Sequence, residues 1–142
     1  MESRTLEGDS ALGTALERIG DRWLLLIVDA LMPGPRRFTE LASDVAGIAP
    51  NILSERLRRL AAGGLVVARP YSRRPLRSVY ELTATGAELA GVLRLLASWA
   101  ANSADESAPL RHPACGTPME ARWYCPTCAR IVSDEESELR YI

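Results

Sequence analysis

The stretch RRFTELASDVAGIAPNILSERLRRLAAGG, residues 36–64, decides how the rest of the chain is read. Phe38, Leu41 and Val45 face one way at helical spacing, the chain turns at Ala46-Gly47-Ile48-Ala49, and a second amphipathic run follows. Pro50 suits the first position of that second helix, where its missing N–H costs nothing, and Gly63-Gly64 stops it. Leu53, Leu57 and Leu60 form a buried stripe at i, i+4 and i+7, while Asn51, Ser54, Glu55 and Arg58 point away from it. Two helices joined by a short turn, the second fixed by leucines and polar on its outer side, make a helix-turn-helix.

Upstream, Ala11-Leu12, Ala15-Leu16 and Ile19 recur at helical spacing until Gly20. Residues Trp23–Leu31 form an almost wholly apolar helix that ends at Pro33-Gly34-Pro35, and they are expected at the centre of the domain, with Trp23 a core residue. Downstream, two short strands are expected at Leu65–Tyr71 and Ser78–Leu82, joined by the arginine-rich loop SRRPLR. A long helix then starts near Thr83–Thr85 and carries Leu89, Val92, Leu93, Leu96 and Trp99 along one side, with Trp99 in the core or an interface. The expected fold is mainly α with a small β-hairpin wing, a winged helix-turn-helix over residues 10–101. A flexible N-terminus (1–9) precedes it, and the polar linker NSADESAP (102–109) separates it from a tail at 110–142.

Charge follows this division. Residues 36–77 hold nine arginines against three acids, a net +6, and the remainder of the chain is −7, so the overall balance of −1 hides a basic middle. Every basic residue is arginine, which is a compositional bias, but a bias in residue type does not explain a bias in position. A basic centre between acidic ends is the footprint of a surface that meets phosphate. In a winged helix-turn-helix the second helix enters the major groove of double-stranded DNA and the wing reaches phosphate or the minor groove. Asn51, Ser54, Glu55 and Arg58, behind Pro50, are therefore the candidate base readers, and Arg73, Arg74 and Arg77 on the wing are candidate phosphate contacts. Arg36 and Arg37 lead into the first helix of the pair and are either phosphate contacts or a solvated surface pair. Arg56 and Arg59, at the flank of the leucine stripe, either face DNA or cover the stripe and pair with acids.

The block ALERIGDRWLLLIVDALMPGPRRFTELASDVAGIAPNILSERLRRLAAGGLV, followed by YELTATGAEL, resembles the HxlR-type transcriptional regulators, over roughly residues 10–101. The specific parts are IGDRW, GPRRFTEL, GIAPNILSERLRRL and YELTATG. The resemblance implies a homodimer on a pseudo-palindromic operator, with the first and last helices of the domain forming the interface. Two departures stand out. Members that sense oxidants carry a cysteine just before the first helix, where this chain has Ser10-Ala11, which argues against thiol sensing there. The residue before Pro50 is usually a capping serine, and Ala49 in its place costs the helix on the order of 1 kcal/mol.

All three cysteines and the only histidine fall in RHPACGTPMEARWYCPTC, residues 111–128. His112-x2-Cys115 and Cys125-x2-Cys128 each have the two-residue spacing with which neighbouring ligands reach one tetrahedral ion through a tight turn. Between them Met119, Ala121 and Trp123 alternate as in a short hairpin. This pattern looks like a minimal zinc ribbon with a Cys3His set, a structural site with no open position. About thirty residues cannot bury enough surface to fold alone, so the metal supplies what the core lacks. The alternatives are three ordinary thiols or a Cys125–Cys128 disulfide.

The expected function is a sequence-specific DNA-binding transcriptional regulator, a repressor, acting as a homodimer. The alternatives are a metal- or redox-responsive switch with the tail as sensor, or a protein-interaction module that docks on the transcription machinery. An enzyme is not expected: no Ser/His/Asp set or phosphate-cradling glycine loop is present, and the histidine is committed. The acidic N-terminus and the short longest apolar run, Trp23–Val28, point to a cytoplasmic protein with no membrane partner, and no residue pattern indicates a small-molecule effector.

Overall fold

The computed structural model describes residues 10–103 and 110–133; the expected flexible N-terminus, most of the linker and the last nine residues lie outside these. Each helix is bounded by its own sequence. Ser10 caps α1 (Ala11–Ile19), its hydroxyl accepting from the Gly13 N–H at 2.9 Å. Asp21 caps α2 (Arg22–Leu31), with Oδ1 accepting from the Trp23 N–H at 2.8 Å. After β1 (Arg36–Arg37), the Arg37 N–H donates to Glu40 at 2.6 Å and sets the first turn of α3 (Phe38–Asp44). Helix α4 (Pro50–Ala62) has Pro50 in its first turn and no side-chain cap at Ala49. Gly64, at φ +71°, lets the Leu65 N–H turn back onto the Leu60 carbonyl at 2.9 Å and end the helix.

The core is built where those helices meet. Leu24, Ile27, Val28 and Leu31 of α2, Leu41 of α3 and Leu53, Leu57 and Leu60 of α4 are buried, and Val45, Ile48, Leu65 and Val66 complete the cluster. The leucine stripe of α4 is thus the face that docks. Helix α2 is less enclosed than its composition suggests, since Leu26 lies on the surface. Trp23 packs against the core from its edge, and the Arg22 guanidinium lies over its ring at 4.1 Å.

The wing is longer than expected. β2 (Val66–Arg73) and β3 (Leu76–Leu82) pair antiparallel out to Arg73 opposite Leu76, so the expected six-residue loop shrinks to a turn at Arg74-Pro75. Backbone pairing between the strands outweighs the loop-like composition. Pro70 is tolerated inside β2 because β2 is an edge strand, with ladder bonds on one side only. β1 adds to the other side of β3, Arg36 opposite Tyr80 and Arg37 opposite Val79.

The long helix expected from Thr83–Thr85 is interrupted after one turn. It forms α5 (Ala84–Ala87) and, after Glu88, α6 (Leu89–Ser103). The first turn is pinned by tertiary contact: the Thr83 hydroxyl donates to the Gly64 carbonyl at 2.6 Å and accepts from the Gly86 N–H at 3.1 Å. A Cβ on Gly86 would come within 2.1 Å of the Leu65 carbonyl oxygen. Gly86→Ala is therefore expected to destabilise the domain by about 1–3 kcal/mol, since backbone must move to admit the methyl group. A melting temperature equal to wild type would show that α5 does not need this close approach.

Contacts group the chain into two compact units, Met1–Leu93 and Arg94–Ile142. The second contains the hairpin β4 (Trp123–Cys125) and β5 (Arg130–Val132), with Tyr124 opposite Ile131. The hairpin expected between Cys115 and Cys125 is thus shifted, with its turn at Pro126–Ala129. Gly116 and Pro118 explain the shift, because the chain there folds back in a bridge between Arg111 and Pro118 instead of extending into a strand. Among the described residues no helix is long and apolar enough to cross a membrane.

Candidate nucleic-acid interface

Burying Leu53, Leu57 and Leu60 turns the opposite side of α4 outward. Asn51, Glu55 and Arg58 are exposed there, Ser54 is half-buried, and Pro50 stands at the exposed start of the helix. Arg58 Nε lies 3.4 Å from the Ser54 carbonyl, a weak contact that leaves its guanidinium at the surface. On the wing, Arg73, Arg74 and Arg77 are exposed and make no ion pair among the described residues. Arg69, lower on β2, is neutralised by Glu81.

Arg36 and Arg37 each have a partner within the domain. Arg36 makes an ion pair with Asp44 at 3.6 Å, and its buried Nε has no hydrogen-bond partner. The Arg37 guanidinium lies 5.0 Å from the Tyr71 ring centre, which ties the start of α3 to the wing.

Arg56 and Arg59 are occupied within the domain. Arg59 donates to the Glu17 carbonyl at 2.7 Å, while Arg18 approaches the Gly63 carbonyl at 3.5 Å, so α1 and α4 exchange contacts at their C-terminal ends. Arg56 donates from Nε (3.1 Å) and Nη2 (2.9 Å) to Asp21 Oδ2, and its Nη1 lies 3.0 Å from Glu55 Oε1. The bonds from Arg56 hold the Asp21 carboxyl below the usual carboxylate range, so it is an anion at neutral pH. Pairing with an acid is one of the two expectations for Arg56, but nothing in the sequence names Asp21 as that acid.

In the tail, His112 Nδ1 and Cys115 Sγ are 3.3 Å apart. The Gly116 N–H bonds back to the His112 carbonyl at 2.8 Å in a tight turn, with Gly116 at φ +69°. Cys115 also lies 3.3 Å from the Thr117 hydroxyl, whose hydrogen bond lowers the thiol below its ordinary value. Hydrogen bonds from Cys128, chiefly its backbone N–H, lower Cys125 in the same way. All three cysteines are thiols, so the structure contains no Cys125–Cys128 disulfide. The histidine and cysteines are thus brought together as two pairs. Among the described residues no group of three or more such side chains converges on a point where an ion could sit.

Known proteins share the helix-turn-helix sequence and fold. The HxlR-like helix-turn-helix family matches residues 18–108. The uncharacterised HTH-type transcriptional regulator Mb3122 of Mycobacterium bovis is 38% identical over 139 residues, 92% of this chain and 84% of that protein. A match that omits only about a twelfth of the chain must run through the cysteine window. Among solved structures, PA1374 from Pseudomonas aeruginosa aligns with a TM-score of 0.69 at 32% identity, covering 93% of this chain and 92% of that one. The transcriptional regulator YodB of Bacillus subtilis, solved in a reduced form, aligns with a TM-score of 0.59 at 28% identity, covering 72% of this chain and all of that one. YodB has also been solved after diamide treatment. With a helix-turn-helix of this geometry and a family match over most of its length, the chain belongs to the HxlR-like helix-turn-helix family of transcriptional regulators.

Proposed function

We propose that this chain is a repressor that binds a pseudo-palindromic operator as a homodimer, α4 in the major groove and the wing on the backbone. The observation that carries it is α4 itself, which is held by three buried leucines and presents Asn51, Glu55 and Arg58 outward beside an arginine-tipped wing. Arg58 supplies base recognition, since an exposed guanidinium on that face can pair bidentately with guanine. Arg58→Ala is expected to relax operator choice at one position by about tenfold, measured by binding to duplexes that vary base by base. An equal loss for every sequence would move Arg58 to the phosphate-contacting set.

Dimerisation rests on two exposed apolar faces. Leu12 is 63% and Leu16 55% exposed on α1, and Val92, Leu95, Leu96 and Trp99 are exposed on α6. Apolar stripes of this kind on a small domain mark association surfaces. Light scattering is expected to give a dimer at micromolar concentration, and a monomer there would sink the assignment.

The tail is a structural zinc ribbon in this reading, with His112, Cys115, Cys125 and Cys128 as ligands. Two formed donor pairs, each on a tight turn, support it, as does the soft Cys3His chemistry that suits zinc. Drawing the two pairs around one ion is the step this reading adds. A bound zinc would hold the two turns together, and the residues themselves supply only the donors and the turns. The second reading, a redox-responsive switch, is favoured by one fact: all three cysteines lie in the tail, outside the matched residues 18–108. An operator-shift assay with and without a chelator, and with and without a thiol oxidant, separates the two readings.

A further inference from the structure

Glu55 poses a problem for a DNA-reading surface. It is 62% exposed on the outer side of α4, where phosphates would repel its carboxylate. It is also held. Arg56 divides its guanidinium, with Nε and Nη2 on Asp21 Oδ2 and Nη1 on Glu55 Oε1. Asp21 is fixed in turn, because its other oxygen caps α2 through the Trp23 N–H. The Asp21 and Arg56 side chains are only 24% and 18% exposed, so this chain of bonds runs from the first turn of α2, through a sheltered fork, to one carboxylate at the surface. Glu55 Oε2 has no partner among the described residues.

Resting on the reading of α4 as the groove-entering helix, we propose that Glu55 is a specificity-determining residue that accepts a hydrogen bond from the N4 amino group of a cytosine, and that Arg56 and Asp21 are its positioning residues. The major-groove edge of a cytosine offers a donor that a carboxylate accepts, whereas the O6 and N7 of a guanine at the same place would face it with acceptors. A carboxylate on this face therefore works by exclusion as much as attraction: it weakens every site that lacks the donor. The fork matters because the ion pair to Arg56 biases the Glu55 carboxylate toward one position, where a freely rotating glutamate would sample several. Arg56 also offsets part of the repulsion between Glu55 and the phosphates.

The test is selection of bound duplexes from a randomised pool by the full-length wild type, Glu55→Ala, Arg56→Lys and Asp21→Asn, with the melting temperature of each protein measured alongside. Wild type is expected to require cytosine at one position in each half-site. Glu55→Ala should reduce that preference by about tenfold while the other positions keep theirs. Arg56→Lys keeps the charge but loses the fork, so it should weaken the same position selectively, as should Asp21→Asn. The double variant Glu55→Ala/Arg56→Lys should be no worse there than Glu55→Ala alone, because both act through one contact. Glu55 is exposed, so its replacement leaves the fold intact and keeps the outcome readable. If Glu55→Ala selects the same sequences as wild type, the inference is overturned while the reading of α4 as a DNA reader stands. If Arg56→Lys and Asp21→Asn lose all positions in proportion to lost stability, the two residues only support the fold and the positioning role falls. If the wild type selects no sequence at all, both this inference and the reading beneath it fail.

Discussion

Replacing Arg73, Arg74 and Arg77 together with alanine is expected to weaken binding to every DNA sequence and to flatten its salt dependence. The three side chains are exposed around a two-residue turn at the end of the hairpin, past a register shift between Pro70 and Ser72, with no acid among the described residues to neutralise them. Each phosphate contact releases condensed counterions, so the slope of log K against log salt should fall by about 0.9 per arginine, close to three for each half-site. Two half-sites double that change. The ratio of operator to non-operator affinity should move much less, because backbone contacts place the protein without reading sequence. Fluorescence anisotropy across a salt series measures both quantities in one experiment. A slope that stays at its wild-type value would mean that the wing does not touch DNA, and the basic patch would then have to act through α4 alone. The fold is not at risk in this variant, since the turn keeps Pro75 and no buried residue changes.

The contrast between α4 and the elements around it shows what could be read from the residues alone. The leucine stripe at 53, 57 and 60 and the polar positions opposite it follow from a helical period, which is a local property, and the structure places them as that period requires. β1 has only two residues, too few to carry any period, and it exists because Tyr80 and Val79 offer a free edge. The break after α5 has a similar origin: Gly86 approaches the Leu65 carbonyl, a contact no local pattern announces. The fork between Arg56 and Asp21 joins residues thirty-five apart in sequence. Of the two expectations for Arg56, pairing with an acid is the one the structure realises, and the spacing alone could not have chosen it. In the tail the ligand spacing was legible, but the strands were misplaced, because alternation at Met119, Ala121 and Trp123 is too short a signal to outweigh Gly116 and Pro118.

The zinc assignment predicts the most complete change from a single atom. Purified protein is expected to contain about one zinc per chain, with zinc–sulfur distances near 2.3 Å, as structural sites show. Cys125→Ser should bind none. Cys125 lies at the end of β4 opposite Arg130, and serine is close to cysteine in size, so the substitution disturbs packing little. Loss of order in the tail would therefore report loss of the metal. Backbone amides of β4 and β5 should lose hydrogen-exchange protection, because a segment with its aromatic residues Trp123 and Tyr124 on the surface has almost no core to hold it without an ion. Among the described residues no tail residue belongs to the buried cluster of residues 24–66, so amides of α2 and α4 should stay protected and the operator should still be bound at moderate concentration. Two other results would change the picture in different ways. A wild type with no metal and three freely titrating thiols removes the ribbon, and the His112–Cys115 and Cys125–Cys128 contacts are then only neighbouring side chains. A Cys125→Ser protein that loses its operator while α2 and α4 remain protected makes the tail a sensor, because the ion would then be biasing a DNA reader that stays folded without it.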